Sequence, residues 1–297
     1  MCEVSRLSRN RGEIIPLILK NPQKYSFIHT FSLEIFLRLV YNILIIELYL
    51  SGGHMIRLEN VTYSAVNEET GVRNNILDDL SLDIETGKYI VITGPNGGGK
   101  TSLAKIIMGI YNPDSGSVWY NDEDITSLSV SDRALKGIGF GFQHPPRFKG
   151  LTVRDLLSVA AKRKLRHAEL CEYLTSVGLC AADYLNREVD TSLSGGELKR
   201  IEIATVLATG SPVMIFDEPE AGIDLWSFHR LTETFRNLHS KNEGTTLIII
   251  SHQERIISQA DEVLLIADGK LSGRGRPEEI LPQIDSFAAR ACRFDKV

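Results

Sequence analysis

The sequence predicts an α/β fold in which helices cover the faces of a parallel sheet and a helical subdomain interrupts the alternation. From residue 55 onward, short apolar runs of the kind found in buried parallel strands alternate with helical patterns. The stretch from about 144 to 212 lacks strand patterns and has apolar residues at helical spacing. A glycine-rich loop between a strand and a helix is the third observation, because it predicts where a ligand binds.

The predicted strands are rich in β-branched and aromatic residues, and the predicted helices have apolar residues at helical spacing. The strands are Ile56–Tyr63, Leu80–Ile84, Tyr89–Thr93, Val213–Phe216, Thr246–Ile250 and Glu262–Ala267. The helices are Thr101–Met108, Thr152–Ala161, His167–Val177, Gly195–Ala208 and Leu225–His239. We therefore expect one domain over 55–284, with the helical subdomain at about 144–212 inside it, and a C-terminal tail over 285–297.

Residues 1–54 differ from the domain that follows them. Phe31–Leu50 is nearly continuous apolar sequence, long enough to cross a bilayer, but its two glutamates and one arginine make insertion marginal. Three interpretations are open: the natural chain starts at Met55, the segment is an amphipathic or partner-binding helix, or it spans a membrane. We favour the first, because Met55 opens a clean strand and one back-translation of Ser51–Gly53 contains a bacterial ribosome-binding sequence.

The charge balance and the cysteines limit the partners and the compartment. With 33 Lys and Arg against 38 Asp and Glu, the net charge is −5, which argues against a nucleic-acid partner. Cys2, Cys171, Cys180 and Cys292 include no CxxC pair and form no evident metal set. We interpret them as free thiols in a reducing compartment and expect a cytoplasmic protein.

A phosphate-binding loop follows the predicted strand Tyr89–Thr93. Its sequence fits GxxxxGK[ST] and leads into a helix, which is the context that this motif requires. Glycines let backbone N–H groups approach a polyphosphate, and the helix N-terminus adds partial positive charge. We expect Lys100 to contact the β- and γ-phosphates of ATP and the Thr101 hydroxyl to bind Mg²⁺. The predicted nucleotide-binding residues of this segment are Gly94, Pro95, Asn96, Gly97, Gly98, Gly99, Lys100, Thr101 and Ser102.

An apolar strand that ends in two acids supplies the chemistry that such a loop needs. Val213–Phe216 is followed directly by Asp217 and Glu218. A carboxylate at the tip of the strand is placed to hold Mg²⁺ through water, so Asp217 is a predicted metal residue. Glu218 stands where a general base could polarise an attacking water.

A second anion site is predicted at residues 193–197. Ser194 and Glu197 have the spacing of a capping box, while Gly195 and Gly196 expose backbone N–H groups at the start of a helix. The chain therefore offers two helix starts suited to phosphate, and one nucleotide does not obviously need both.

In order and spacing, these three segments resemble the Walker A, signature and Walker B motifs of the ABC ATPases. The resemblance covers about 55–281 and implies the nucleotide-binding domain of a P-loop NTPase that binds and hydrolyses ATP. Gln143 resembles the Q-loop glutamine, His252 the switch histidine and Asp224 the D-loop aspartate. Tyr63 stands where an adenine-stacking aromatic residue is usual.

The resemblance implies that two such domains pair head to tail when they bind ATP and Mg²⁺. The nucleotide held at Lys100 of one domain is then covered by Ser194 and Gly196 of the other. Glu218 polarises water, His252 holds the γ-phosphate region, and Gln143 reports the nucleotide state to a docked partner. The implied catalytic residues are Glu218, His252, Gln143 and Lys100, the implied metal residues are Thr101, Gln143 and Asp217, and the implied nucleotide residues beyond the phosphate loop are Tyr63, Ser194, Gly195, Gly196, Glu197 and Asp224.

Local sequence favours one branch of the family. Glu197 replaces the glutamine more usual in transporter subunits, Gln143 is followed by His-Pro-Pro, and His252 is followed by Gln-Glu. All three features resemble the SufC-type ATPases of iron–sulfur cluster assembly, which bind SufB or SufD scaffolds. Glu218–Asp224 departs from the SufC pattern and indicates a divergent branch. The alternative is a subunit that energises a membrane permease and lies peripheral to the membrane.

Overall fold

The computed structural model describes residues 54–66, 71–241 and 244–284. The strands are β1 (His54–Val66), β2 (Arg73–Glu85), β3 (Tyr89–Thr93), β4 (Ser115–Tyr120), β5 (Glu123–Asp124), β6 (Ile138–Gly141), β7 (Phe148–Thr152), β8 (Glu188–Val189), β9 (Val213–Asp217), β10 (Thr246–Ile250), β11 (Glu262–Ala267) and β12 (Lys270–Gly275). The helices are α1 (Lys100–Met108), α2 (Val130–Leu135), α3 (Val153–Ala160), α4 (His167–Ser176), α5 (Ala181–Tyr184), α6 (Gly195–Ala208), α7 (Leu225–Lys241) and α8 (Glu254–Ile257), and residues 277–284 are also helical. None of the helices in these described ranges is both long and apolar enough to cross a membrane. The predictions for the apolar run before residue 54 and for the tail after residue 284 lie outside the described residues.

A six-stranded sheet of order β12-β11-β3-β10-β9-β6 forms the centre of the domain. β11, β3, β10, β9 and β6 run parallel, and β12 pairs antiparallel with β11. Every residue of β3, β9 and β10 is buried, which explains their largely apolar sequences. The α/β prediction is confirmed, and β3, β10 and β11 have the predicted bounds.

A four-stranded antiparallel sheet of order β2-β1-β4-β5 contains the first two predicted strands. Neither this second sheet nor its strand β4 was predicted from the sequence. The register between β1 and β2 shifts at several points, so a simple period-two pattern is broken. Leu58 and Val118 of this sheet share one apolar core with Ile92 and Ile248 of the central sheet.

The helical subdomain contains two short strands, so the prediction that about 144–212 lacks strands is wrong. β7 pairs antiparallel with β8, which has two residues. A strand of two residues carries no alternation, and the register shifts between Phe148 and Thr152, so neither strand leaves a pattern in the sequence. The predicted helices are present as α3, α4 and α6, each ending within one residue of the expected bounds.

The carboxyl ends of neighbouring parallel strands bring the predicted site together. β3 leads into the phosphate loop, β9 ends at Asp217, β10 leads to His252 and β6 leads to Gln143. β10 lies between β3 and β9, and β6 lies beside β9. Loops at this edge of a parallel sheet are where α/β proteins bind their ligands.

Candidate active site

The phosphate loop folds against the end of β11, and its glycines permit this close approach. Gly94 has a φ of +137°, and a Cβ there would collide with the carbonyl oxygen of Ile266. A Cβ on Gly98 would come within 2.8 Å of the same oxygen. Gly99, with a φ of +101°, is the N-cap of α1, and its Cβ would lie 2.8 Å from the Ile76 oxygen. The loop is therefore a cradle of bare backbone at a helix N-terminus, which fits the phosphates of ATP.

Lys100 is the first residue of α1, and its side chain lies inside the loop. Its Nζ donates to the carbonyl oxygens of Gly94 and Pro95, both at 2.8 Å. Burial lowers the pKa of Lys100, and the carboxylates of Glu218 and Asp217 oppose that shift. The predicted phosphate-binding cation is thus held at the loop that would receive the phosphates.

Thr101 and Asp217 meet in the way expected of two metal residues. Thr101 Oγ1 donates to Asp217 Oδ1 at 3.1 Å. Asp217 is 1% exposed, and its Oδ2 accepts no hydrogen bond from any described residue. Burial raises the pKa of Asp217, with a further contribution from the Glu218 carboxylate, and the hydrogen bond from Thr101 opposes that shift. A hydroxyl beside a buried carboxylate fits Mg²⁺, which prefers oxygen ligands.

Glu218 follows the buried strand in a conformation that non-glycine residues rarely adopt. Its φ is +46°, and its N–H donates to the Ile250 carbonyl oxygen at 3.0 Å. Gln143 Nε2 donates to Glu218 Oε2 at 2.7 Å, and His252 Nε2 lies 4.0 Å from Glu218 Oε1. Residues held in such sparsely populated conformations cluster at active sites. The structure thus brings together three residues that the sequence predicted from separate segments.

The loop that carries His252 is fixed by a glutamate that the sequence analysis did not identify. Ser251 Oγ donates to Glu220 Oε1 at 2.5 Å and accepts from the Gln253 N–H at 3.0 Å. The pKa of His252 is lowered by burial and by Lys100, against the opposing effect of the Glu218 carboxylate. Burial and the nearby ammonium group thus favour the neutral form of this imidazole.

The signature segment forms the predicted capping box at the start of α6. Glu197 Oε2 accepts from the Ser194 N–H at 2.7 Å, and Ser194 Oγ accepts from the Glu197 N–H at 3.3 Å. The Tyr184 hydroxyl also donates to Glu197, and these hydrogen bonds lower the pKa of Glu197 to about 2. A Cβ on Gly196 would come within 2.6 Å of the Gly222 oxygen, so the signature and the D-loop pack backbone against backbone.

The signature segment and the phosphate loop are not hydrogen-bonded to each other within one chain. None of the hydrogen bonds of the described residues links 193–197 with 94–101. Asp224 of the D-loop caps α7, where its Oδ1 accepts from the N–H groups of Trp226 and Ser227 at 3.1 and 3.0 Å. Among the described residues, hydrogen bonds join Thr101 to Asp217 and Gln143 to Glu218, and none joins these pairs to Ser194.

Tyr63 lies in an aromatic stack on the side of α1. Its ring packs on Tyr111 with centroids 5.0 Å apart and planes inclined by 12°. Lys105 of α1 places its Nζ 4.9 Å from the centroid of the Tyr111 ring. The pKa of Tyr63 is raised mainly by burial and to a smaller extent by the nearby Tyr111. The role of Tyr63 as a base-stacking residue stays a prediction, and the sequence analysis did not identify Tyr111 as its neighbour.

Two charged residues behind the site, one buried and one largely buried, were also not identified from the sequence. Lys199 and Glu202 lie on α6, and burial lowers the pKa of Lys199 and raises that of Glu202 to about 7. Lys199 is four residues before Ile203, and Glu202 is four residues after Leu198, so both charges share a helix face with buried apolar residues. That spacing is the signal that could have revealed them.

Comparison with known proteins identifies the family. The family profile described as "ABC transporter" matches residues 77–221. An uncharacterized ABC transporter ATP-binding protein of Methanocaldococcus jannaschii is 37% identical over 213 residues, which are 69% of this chain and 84% of that protein. This chain belongs to the ABC ATPase family. As a member of that family it is a P-loop ATPase that hydrolyses ATP, and the resemblance based on its three motifs is confirmed.

Other similar proteins are named as ATP-binding proteins of transport systems. A sulfate/thiosulfate import ATP-binding protein of Shewanella oneidensis is 36% identical over 210 residues, 69% of this ABC ATPase and 58% of that protein. An energy-coupling factor transporter ATP-binding protein of Mycoplasmopsis pulmonis is 35% identical over 233 residues, 76% and 84% of the two chains. The dimeric structure of a post-hydrolysis ATP-binding cassette with ADP and Pi has a TM-score of 0.67 at 24% identity, and covers 75% of this chain and 99% of that one. At that identity, the likeness supports the fold alone.

Proposed function

We propose that two copies of this ABC ATPase pair head to tail around ATP and Mg²⁺ and use hydrolysis to drive a membrane permease from the cytoplasmic face. The observation that carries this proposal is the division of the site. Lys100, Asp217 and Glu218 lie in one cluster, whereas the signature helix start, a second anion site, makes no hydrogen bond to the phosphate loop among the described residues. A second copy supplies the missing half, with Ser194 and its neighbouring glycines over the nucleotide.

Within each composite site, Glu218 acts as the general base that polarises the attacking water and takes its proton. Gln143 orients that carboxylate through the hydrogen bond of 2.7 Å. His252, which lies 4.0 Å from Glu218 Oε1, contacts the γ-phosphate region. Thr101, Gln143 and Asp217 would hold Mg²⁺, which when bound neutralises charge on the β- and γ-phosphate oxygens.

The proposed contact with the permease lies beside the Q-loop segment. A cavity of about 140 Å³ there has apolar walls and one acid, Glu202. The walls include Phe140, Phe142, Pro146 and Phe148. An amphipathic helix of the permease that presents an apolar side chain and a hydrogen-bond donor matches this lining. The transport names of the similar proteins support a permease as the partner.

A SufB- or SufD-like scaffold is the second candidate partner. The features that support it are Glu197 in the signature, the His-Pro-Pro after Gln143 and the Gln-Glu after His252. The transporter names of the relatives give the permease the stronger support. Purification of the tagged protein from its native host separates the two: a polytopic membrane protein that co-elutes supports the permease, and a soluble scaffold supports the alternative.

Complementation between two inactive variants tests the composite site. Ser194→Arg blocks closure by its bulk, and Lys100→Ala removes the phosphate-binding cation, so each homodimer should be inactive. A mixed dimer has one site built from two unaltered halves, and an equal mixture should recover up to about a quarter of wild-type turnover. The control is Lys100→Ala mixed with a chain that carries both changes, which should stay inactive. Heterodimers that form but hydrolyse no ATP would contradict the composite site.

A further inference from the structure

Behind the Gln143–Glu218 pair, the signature helix carries a buried ion pair. The side chains of Lys199 and Glu202 are 2% and 10% exposed, and Lys199 Nζ lies 3.6 Å from Glu202 Oε2. Burying two charges costs desolvation energy, and apolar residues of similar volume often stabilise a core as well or better. A contribution to stability therefore explains this pair poorly. Its hydrogen bonds indicate a role in positioning other residues.

Lys199 contacts the two peptide groups that lead into Gln143 and Glu218. Its Nζ donates to the carbonyl oxygen of Phe142, and to that of Asp217 at 3.1 Å. Each carbonyl belongs to the peptide bond whose nitrogen is that of Gln143 or Glu218. Each planar peptide group also contains the Cα atom of Gln143 or Glu218. By holding both carbonyl oxygens, the Lys199 ammonium group therefore helps to position the Cα atoms that carry these two side chains.

Glu202 binds the backbone N–H of Phe142, the residue whose carbonyl oxygen Lys199 contacts. Its Oε1 accepts from the Phe142 N–H at 2.8 Å, so the N–H and the carbonyl of Phe142 are both bonded to α6. Its Oε2 accepts no hydrogen bond from any described residue and lies on the side of Lys199. Glu202 is therefore both the counter-charge of Lys199 and a direct anchor of the segment that carries Gln143.

We propose that Lys199 and Glu202 are positioning residues that hold Gln143 at hydrogen-bond distance from Glu218, so that the signature helix sets the group that activates water. The proposal rests on the proposed role of Glu218 as the base. Ser194, at the start of the same helix, would complete the site of the second copy. The ion pair therefore links the closure of one composite site to the geometry of the base in the other.

Lys199→Met tests this role, because a positioning residue should affect kcat but not the dissociation constant for ATP. We expect kcat to fall by about 10- to 100-fold, the range that a misplacement of about 1 Å can cause. The dissociation constant for ATP should stay within about twofold, because no described hydrogen bond joins Lys199 to residues 94–101, and Lys199 meets Asp217 at its main-chain oxygen rather than at the carboxylate that Thr101 contacts. Lys164→Met, which removes an exposed lysine, is the matched control and should retain wild-type kcat.

A double-mutant cycle separates positioning from a merely structural role. If Lys199 acts through Glu218, Lys199→Met should lower the residual rate of Glu218→Gln by less than about twofold. An additive loss, or an equal loss of ATP affinity, overturns the proposal. If Lys199→Met does not fold, Lys199→Met/Glu202→Leu removes both charges and is measured in its place, with the same expectations. If Glu218→Gln hydrolyses ATP at the wild-type rate, Glu218 is not the base. That result would contradict the proposed mechanism and, with it, this inference.

Discussion

Glu218→Gln changes the proposed base while leaving its surroundings nearly intact. The amide oxygen can accept the hydrogen bond that Gln143 Nε2 donates at 2.7 Å, and the backbone at φ +46° is held by the same bond to Ile250. Loss of a general base costs about 10²–10⁴ in rate, which at 1.36 kcal/mol per tenfold is roughly 2.7–5.4 kcal/mol of transition-state stabilisation. ATP binding should not weaken, because the change removes a negative charge near Lys100 and the phosphates.

Phosphate release gives kcat, titration with a fluorescent ATP analogue gives the dissociation constant, and gel filtration with ATP and Mg²⁺ detects the dimer. We expect a slow enzyme that binds ATP normally and accumulates as an ATP-bound dimer. Glu254→Gln, at an exposed glutamate two residues after His252, is the matched control and should keep wild-type kcat. A Glu218→Gln protein within tenfold of wild-type kcat would refute the assignment, because another group would then activate the water.

Lys100→Ala should abolish ATP turnover, measured as phosphate release, because it deletes the cation of the phosphate loop. Gly98→Ala would place a Cβ 2.8 Å from the Ile266 oxygen and should lower the free energy of unfolding by roughly 1–3 kcal/mol, the usual cost of overpacking, as measured by urea unfolding. Glu197→Gln should keep the capping box and ATP turnover but lower the free energy of unfolding by about 1–2 kcal/mol at pH 7. Because the pKa of Glu197 is lowered to about 2 in the folded chain, urea unfolding should show this difference shrinking as the pH falls from about 4.5 towards 2.

The parts of this fold that the sequence predicted are those in which local pattern and tertiary role agree. β3, β10 and β11 are buried on both faces, so their apolar runs needed no partner to be recognised. The phosphate loop was predictable because the close approach of its backbone to other backbone atoms requires glycine, as where Gly94 packs against the Ile266 carbonyl oxygen. The capping box of Ser194 and Glu197 was predictable because both partners lie within one turn.

The parts that escaped prediction depend on partners far away in sequence. β7 and β8 are defined by their pairing across the helical subdomain, and neither carries a period of its own. Glu220 gains its partner, Ser251, from the loop after the neighbouring strand β10, and Lys199 finds one carbonyl group in the loop after β6 and one at the end of β9. These contacts are long-range consequences of the topology. A single sequence marks them only by charges at helix or turn positions that prove to be buried.

The position of Glu202 bears on how a docked partner could control hydrolysis. Glu202 lines the cavity beside the Q-loop, and the same carboxylate accepts the Phe142 N–H at 2.8 Å. A partner side chain that enters this cavity and displaces the Glu202 carboxylate would weaken its contacts with the Phe142 N–H and with Lys199, and Lys199 holds the peptide groups that lead into Gln143 and Glu218. Neither charge contacts the phosphate loop by any described hydrogen bond. On this geometry, a partner in the cavity should change kcat and leave the affinity for ATP nearly constant.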